Sequence, residues 1–198
     1  MTWVKVCGMT RTEDIAAAEA AGADAIGLIL VPESPRAITV DRAAELAATV
    51  TTQAVLLTKD LMPEDLIAAV LAVGADAVQP YGAHAAEAAE MAAQVGLFVL
   101  RPVDLDFDLS ALPEDHVPLF DNRSGFKLGG TGETFDLRLL PATDRRFVVA
   151  GGLGPDNVAD AIRRSRPWGV DAASRLESRP GIKDPDLVAR FVREAKQA

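Results

Sequence analysis

Ala21-Gly22-Ala23-Asp24-Ala25 is echoed by Val73-Gly74-Ala75-Asp76-Ala77 and, more loosely, by Trp168-Gly169-Val170-Asp171-Ala172. In each copy a glycine closes a helical pattern and an aspartate precedes or enters an apolar run. A recurring unit of helix, Gly, Asp and strand points to repeated βα modules. The three aspartates read as structural caps at the N-terminal face of a parallel barrel.

Outward from these repeats the chain alternates strands with helices. Strands are predicted at Trp3–Cys7, Ala25–Leu30, Ala54–Thr58, from Ala77 to Gln79, and at Leu97–Val103, Pro118–Asp121, Phe147–Gly151 and Val170–Ser174. Helices are predicted at Thr12–Ala21 with Thr12 as cap, Thr39–Val50, Pro63 to Gly74, Ala85–Val95, Phe135–Leu140, Pro155–Arg164 and Asp184–Lys196. Only the connection between Asp104 and Asp115 lacks a clear helix. The strands are continuous apolar runs, as expected where a parallel sheet is covered on both faces. Right-handed crossovers then follow. Eight such units favour closure, so the fold class is α/β: one (β/α)₈ TIM barrel with short loops, spanning residues 1–198 as a single domain.

Composition narrows the function. Hydrophobic residues make up 49% of the 198 and aromatics only 5%, so the core is built of Val, Leu, Ile and Ala. No apolar run reaches the roughly 18 residues that span a bilayer, so no membrane partner is expected. Met1 to Lys5 does not read as a signal peptide. The single cysteine fits a reducing cytoplasm. A net charge of -9 argues against nucleic acid as partner, although local cations or helix N-termini can still hold a small anion. His84 and His116 are isolated and read as a helix start and a surface residue at the beginning of a strand. Neither a metal cluster nor a cofactor motif is seen, and oligomeric state stays open between monomer and homodimer.

In a (β/α)₈ barrel the chemistry sits where strands end. Those ends supply Lys5 and Cys7, the loop residue Arg36, then Gln79 and Tyr81, Arg101, Asp121, Gly151-Gly152, and Ser174-Arg175. A thiol and a carboxylate facing one pocket can divide proton abstraction and donation between them. Lys5, two residues from Cys7 on the same strand, shares its face and offers positive charge to a thiolate.

Six segments, in order, resemble the phosphoribosylanthranilate isomerase family over nearly the whole chain. They are Lys5-Val6-Cys7-Gly8-Met9-Thr10-Arg11, Gly22-Ala23-Asp24-Ala25-Ile26-Gly27-Leu28, and Ser34-Pro35-Arg36. Then come Gly129-Gly130-Thr131-Gly132 with Thr134-Phe135-Asp136, Ala150-Gly151-Gly152-Leu153 with Asn157-Val158, and Pro180-Gly181-Ile182-Lys183-Asp184. The resemblance implies an Amadori rearrangement of a small anionic phosphosugar, N-(5-phosphoribosyl)anthranilate, to its aminoketose in tryptophan biosynthesis. By position, Asp121 is the general acid that opens the ribose ring and Cys7 the general base that removes the C2 proton. Arg36 would hold the anthranilate carboxylate, with Lys5, Gln79, Tyr81 and Arg101 as further substrate contacts. The phosphate would lie against Gly129, Gly130, Gly151, Gly152, Ser174 and Arg175.

Three departures from the family pattern stand out. The fourth strand reads Val78-Gln79-Pro80-Tyr81-Gly82 where the family has Val-Gln-Leu-His-Gly. The eighth runs into Ala173-Ser174-Arg175-Leu176-Glu177 in place of Ser-Ser-Gly-Val-Glu, which puts a guanidinium where the phosphate would lie. Arg101 replaces a frequent Lys, and Phe120 an aliphatic residue. Arg175 either binds the phosphate directly or fills its pocket. A paralogue acting on another aminosugar or phosphosugar, or a non-catalytic ligand-binding descendant, would share most of these residues. Against the latter stands the joint presence of Cys7, Asp121 and Arg36.

Overall fold

The computed structural model describes residues 1–121 and 140–198. Eight parallel strands close into a barrel in sequence order: β1 Trp3–Cys7, β2 Ala25–Ile29, β3 Gln53–Lys59, β4 Ala77–Tyr81, β5 Phe98–Val103, β6 His116–Asp121, β7 Val148–Ala150 and β8 Gly169–Ala172. Among the described residues the covering helices are α1 Thr12–Ala20, α2 Val40–Ala47, α3 Pro63–Val73, α4 Ala85–Gln94, α5 Val158–Ser165 and α6 Pro185–Gln197. The predicted barrel is therefore present, with bounds shifted by a few residues at most. The helix predicted at Phe135–Leu140 falls almost entirely outside the described residues.

Local chemistry explains the ends. Pro63 opens α3 and Gly74 closes it in the left-handed region at φ 73°. Thr39 caps α2 by accepting from the Arg42 amide, and Asp184 caps α6 by accepting from Asp186 and Leu187. Thr12 is not a cap: the cap position of α1 is Arg11, whose side chain makes no capping bond to the backbone. Instead Arg11 grips Asp14 one turn on. Between β5 and β6 only a single 3-10 turn forms, at Leu109–Ala111. Pro80 is tolerated within β4 because the ladder to β5 ends at Val78 opposite Val99, before the proline ring.

Strand alternation sorts the core into two layers. Outward residues such as Val4, Val6, Ile26, Leu28, Leu56 and Val170 pack under the helices. Inward residues such as Ala25, Val55, Leu57, Leu100, Leu119 and Val148 fill the barrel. Trp3 and Trp168 stack at 5.0 Å, and with Phe98 they plug the N-terminal end. His116, expected at the surface, is only 3% exposed. Arg145 crosses this end, donating to four carbonyls, those of Leu109, Leu112, Pro113 and His116, and so holds the segment before β6 against the barrel.

Two of the three repeat aspartates do cap the N-terminal face. Asp24 accepts from the Val4 amide at 2.7 Å and from Lys196 at 2.5 Å, and Asp76 accepts from the Ala54 amide at 2.9 Å. Asp171 does not. It sits one step further into its strand, so its side chain points into the barrel and meets Lys5 at 2.6 Å. Asp24→Ala leaves the buried Val4 amide unpaired. It is expected to lower the unfolding free energy by about 1–3 kcal/mol in urea titrations, with catalytic constants unchanged because the site lies at the other end.

Candidate active site

A cavity of about 450 Å³ opens at the C-terminal ends of the strands. Cys7, Arg36, Gln79, Tyr81, Arg101, Asp121, Gly151, Gly152 and Ser174 all line it, as does Asp171. Sequence-predicted residues from seven of the eight βα units are thus brought together. Gly129 and Gly130 lie outside the described residues.

Cys7 is the last residue of β1 and is 4% exposed. Its thiol nests against Gly27 of the neighbouring strand, where an added Cβ would stand 2.6 Å from Sγ. Lys5, one inward step below, is fully buried. Lys5 favours the Cys7 thiolate as expected, but it is outweighed. Burial opposes the Lys5 charge, but Asp171 and then Cys7 outweigh it and raise its pKa. For Cys7, burial is the largest influence and raises the thiol above its ordinary value, with Asp171 adding to the rise. Lys5 and Lys183 pull the other way and do not prevail. Burial of the thiol outweighs them, and the negative charge of Asp171 beside Lys5 offsets part of the lysine's pull.

Two buried acceptors face this region with no hydrogen-bond partner among the described residues: Oδ1 of Asp171 and Oε1 of Gln79. Buried acceptors normally find donors, so both suit hydroxyl groups of a ligand. The Gln79 amide donates to the Tyr81 phenol at 2.7 Å. Burial, followed by the charges of Asp121, Asp171 and Cys7, pushes that phenol well above its usual value. Tyr81 is therefore a neutral hydrogen-bonding group in the cavity that the thiol and the carboxylate also line.

Arg36 comes from the loop after β2. Its stem crosses Gly8, whose φ of 81° and missing Cβ make room for it: an added Cβ would stand 2.5 Å from Cδ. Its guanidinium forks onto Glu177, Nε to Oε1 at 2.6 Å and Nη2 to Oε2 at 2.7 Å. Arg101 stands on the outward parity of β5 between Leu100 and Pro102; its Nη1 donates to the Pro102 carbonyl at 3.2 Å. Arg175 is absent from the cavity lining. It donates to both carboxylate oxygens of Asp156 at 2.8 Å and to the Gly152 carbonyl at 3.0 Å. Gly151 and Gly152 take positive φ, 85° and 68°, in the loop it borders.

The sequence reading missed Asp171, Glu177 and Lys183 as site residues. A charge inside the apolar run Val170-Asp171-Ala172 was a usable signal, since an inward carboxylate there needs a cation. Glu177 and Lys183 lie on a two-stranded hairpin, β9 Glu177–Arg179 and β10 Ile182–Lys183, that was not predicted although Pro180-Gly181 marks its turn.

The family model for N-(5'-phosphoribosyl)anthranilate isomerase matches residues 4–194. The chain belongs to that family. The N-(5'-phosphoribosyl)anthranilate isomerase of Thiobacillus denitrificans is 40% identical, covering 98% of this chain and 97% of its own. That of Haloferax volcanii is 42% identical, covering 100% and 95%. Among solved structures, the phosphoribosyl anthranilate isomerase of Thermotoga maritima has a TM-score of 0.87 at 30% identity, with both chains fully covered. Another isomerase of the family, solved with reduced 1-(o-carboxyphenylamino)-1-deoxyribulose 5-phosphate, has a TM-score of 0.82 at 28% identity over the full length of both chains. As a member of the family the chain is an isomerase. Among the described residues no helix is long and apolar enough to cross a membrane.

A protonated Cys7 in the ligand-free site has a measurable consequence. Its alkylation by iodoacetamide, normalised to its own plateau, is expected to inflect above the free-thiol value near 9. Asp171→Asn removes a charge that raises the thiol and releases that of Lys5, so the inflection moves to lower pH. An inflection below about 8 in the unaltered chain contradicts this electrostatic reading.

Proposed function

We propose that this chain isomerises N-(5'-phosphoribosyl)anthranilate with Asp121 as general acid and Cys7 as general base, in the cytoplasm, where reducing conditions keep its lone thiol available. The observation that carries the reading is that Cys7 and Asp121, from strands five apart in sequence order, share one cavity with Arg36. Asp121 donates a proton to the ribose ring oxygen, and the C1–O bond breaks to leave an open-chain iminium. Cys7 then takes the C2 proton, the C2–H electrons form the C1–C2 double bond, and the iminium nitrogen accepts the displaced pair. The enolamine ketonises as C1 regains a proton and the C2 hydroxyl loses one.

The cavity's two sides suit the two ends of such a substrate. Gly151, Gly152 and Ser174, after β7 and β8, stand where barrels of this type commonly bind phosphate. Gly129 and Gly130 are proposed to join them. Arg36 lies on the β2 side and takes the carboxylate. Asp171 Oδ1, Gln79 Oε1 and the Tyr81 phenol take sugar hydroxyls between, with Lys5 acting through Asp171. Arg101 contributes positive potential at the rim. Because the thiol is protonated in the free site, its conversion to a base accompanies substrate binding or alkaline pH. The rate therefore rises with pH through the raised thiol pKa and falls below it.

Cys7→Ala and Asp121→Asn are each expected to lower kcat by roughly 10²–10⁴-fold with little change in KM. Neither should restore tryptophan-independent growth to a host lacking the activity; full turnover by Cys7→Ala contradicts the assignment. Arg175 borders the phosphate loop, and a phosphate dianion competes with Asp156 for its guanidinium. Arg175→Gly is accordingly expected to weaken inorganic phosphate binding in calorimetry by about tenfold, on the scale of one charge-assisted hydrogen bond. Tighter binding would mean that the side chain obstructs the pocket.

A further inference from the structure

Arg36 does not stand alone beside the cavity. Its Nε and Nη2 edge is taken up by Glu177, whose side chain is 4% exposed, and Glu177 Oε1 also receives Lys183 Nζ at 2.9 Å. Lys183 is fully buried at its side chain and is braced a second time by the Ala173 carbonyl at 3.1 Å. The hairpin carrying both residues is pinned to the other side of the site. The Lys183 amide donates to Asp14 at 3.1 Å, and Thr10 donates to the Gly181 carbonyl at 2.5 Å. The β1–α1 loop, the β2 loop and the β9–β10 hairpin therefore converge on one guanidinium.

The charge count is informative. Arg36 and Glu177 alone form a neutral pair, a poor receptor for an anion in a dry site. Adding Lys183 gives two cations and one carboxylate, a net charge of +1 that a single further carboxylate balances. Buried ion pairs gain little stability over apolar packing of equal volume, so a purely structural purpose is weakly supported by energetics. A fork that fixes a guanidinium on one edge leaves its remaining N–H groups in a defined plane for a second planar carboxylate.

We infer that Glu177, held by Lys183, is a positioning residue that orients Arg36 for the substrate's aromatic carboxylate, while Lys183 restores the positive charge that this carboxylate neutralises. The inference rests on the function proposed above. The test uses two probes: reduced 1-(o-carboxyphenylamino)-1-deoxyribulose 5-phosphate and the same molecule lacking the carboxylate. Dissociation constants are measured by calorimetry for the unaltered chain, Glu177→Gln, Glu177→Asp and Lys183→Met. The unaltered chain should favour the carboxylate probe by about tenfold or more. All three variants should lose most of that preference while binding the descarboxy probe within about threefold of the unaltered chain. Glu177→Gln is decisive because it removes a negative charge. Simple electrostatics makes it bind the carboxylate probe more tightly, whereas positioning makes it bind less tightly. Tighter binding, or equal loss for both probes, overturns the inference. The shorter but still charged Glu177→Asp carries the same comparison if Glu177→Gln fails to fold. No carboxylate preference in the unaltered chain would instead sink the proposed role of Arg36 itself.

Discussion

Where β1 meets β8 the barrel closes, and the register of that closure sets Lys5 opposite Asp171. The two charges meet at 2.6 Å in a space that admits almost no water, with side-chain exposures of 0% and 7%. Neither could be buried alone, since removing one partner of such a pair typically costs roughly 3–5 kcal/mol. The pair decides much of what surrounds it. Its carboxylate offsets part of the pull that Lys5 exerts on Cys7, so burial prevails at the thiol and holds its pKa above the ordinary value. It also leaves one Asp171 oxygen directed at the cavity without a protein donor among the described residues.

The two ends of the barrel carry different obligations. At the N-terminal end, aspartates cap strand amides, aromatic rings plug the bore and Arg145 gathers carbonyls. At the C-terminal end the matching is incomplete by design of the register. The acceptors of Gln79 and Asp171 and the excess positive charge around Arg36 are all complements that a polar anionic ligand can supply. Incomplete satisfaction of buried polar groups costs stability, and it is tolerated where function needs it.

Much of this was legible in the residues. Continuous apolar strands alternating with capped helices specify a parallel closed sheet, and the strand-end rule suffices to put Cys7, Gln79, Tyr81 and Asp121 in the lining of one cavity. Asp171 was not legible from its repeat. The motif Gly-x-Asp places Asp24 and Asp76 just before their strands, whereas β8 begins earlier, at Gly169, and turns Asp171 inward. The pull of Lys5 on the thiol has the expected sign, but burial of Cys7 and the charge of Asp171, which comes from the far end of the chain, outweigh it. The Arg36–Glu177–Lys183 cluster was hidden for the same reason: its members come from separate connections, and no spacing in the chain announces that they converge. Local patterns predict elements well; charge balance in a closed interior is a property of the tertiary structure.

The central claim is that Asp121 opens the ring and Cys7 then removes the C2 proton, as two separable steps. The most direct measurement is single turnover of N-(5'-phosphoribosyl)anthranilate deuterated at C2 by Cys7→Ala, quenched with cyanoborohydride and read by mass spectrometry. The account predicts an open-chain adduct that keeps its C2 deuterium and little aminoketose. Aminoketose formed at the rate of the unaltered chain, with the deuterium gone from C2, would contradict it.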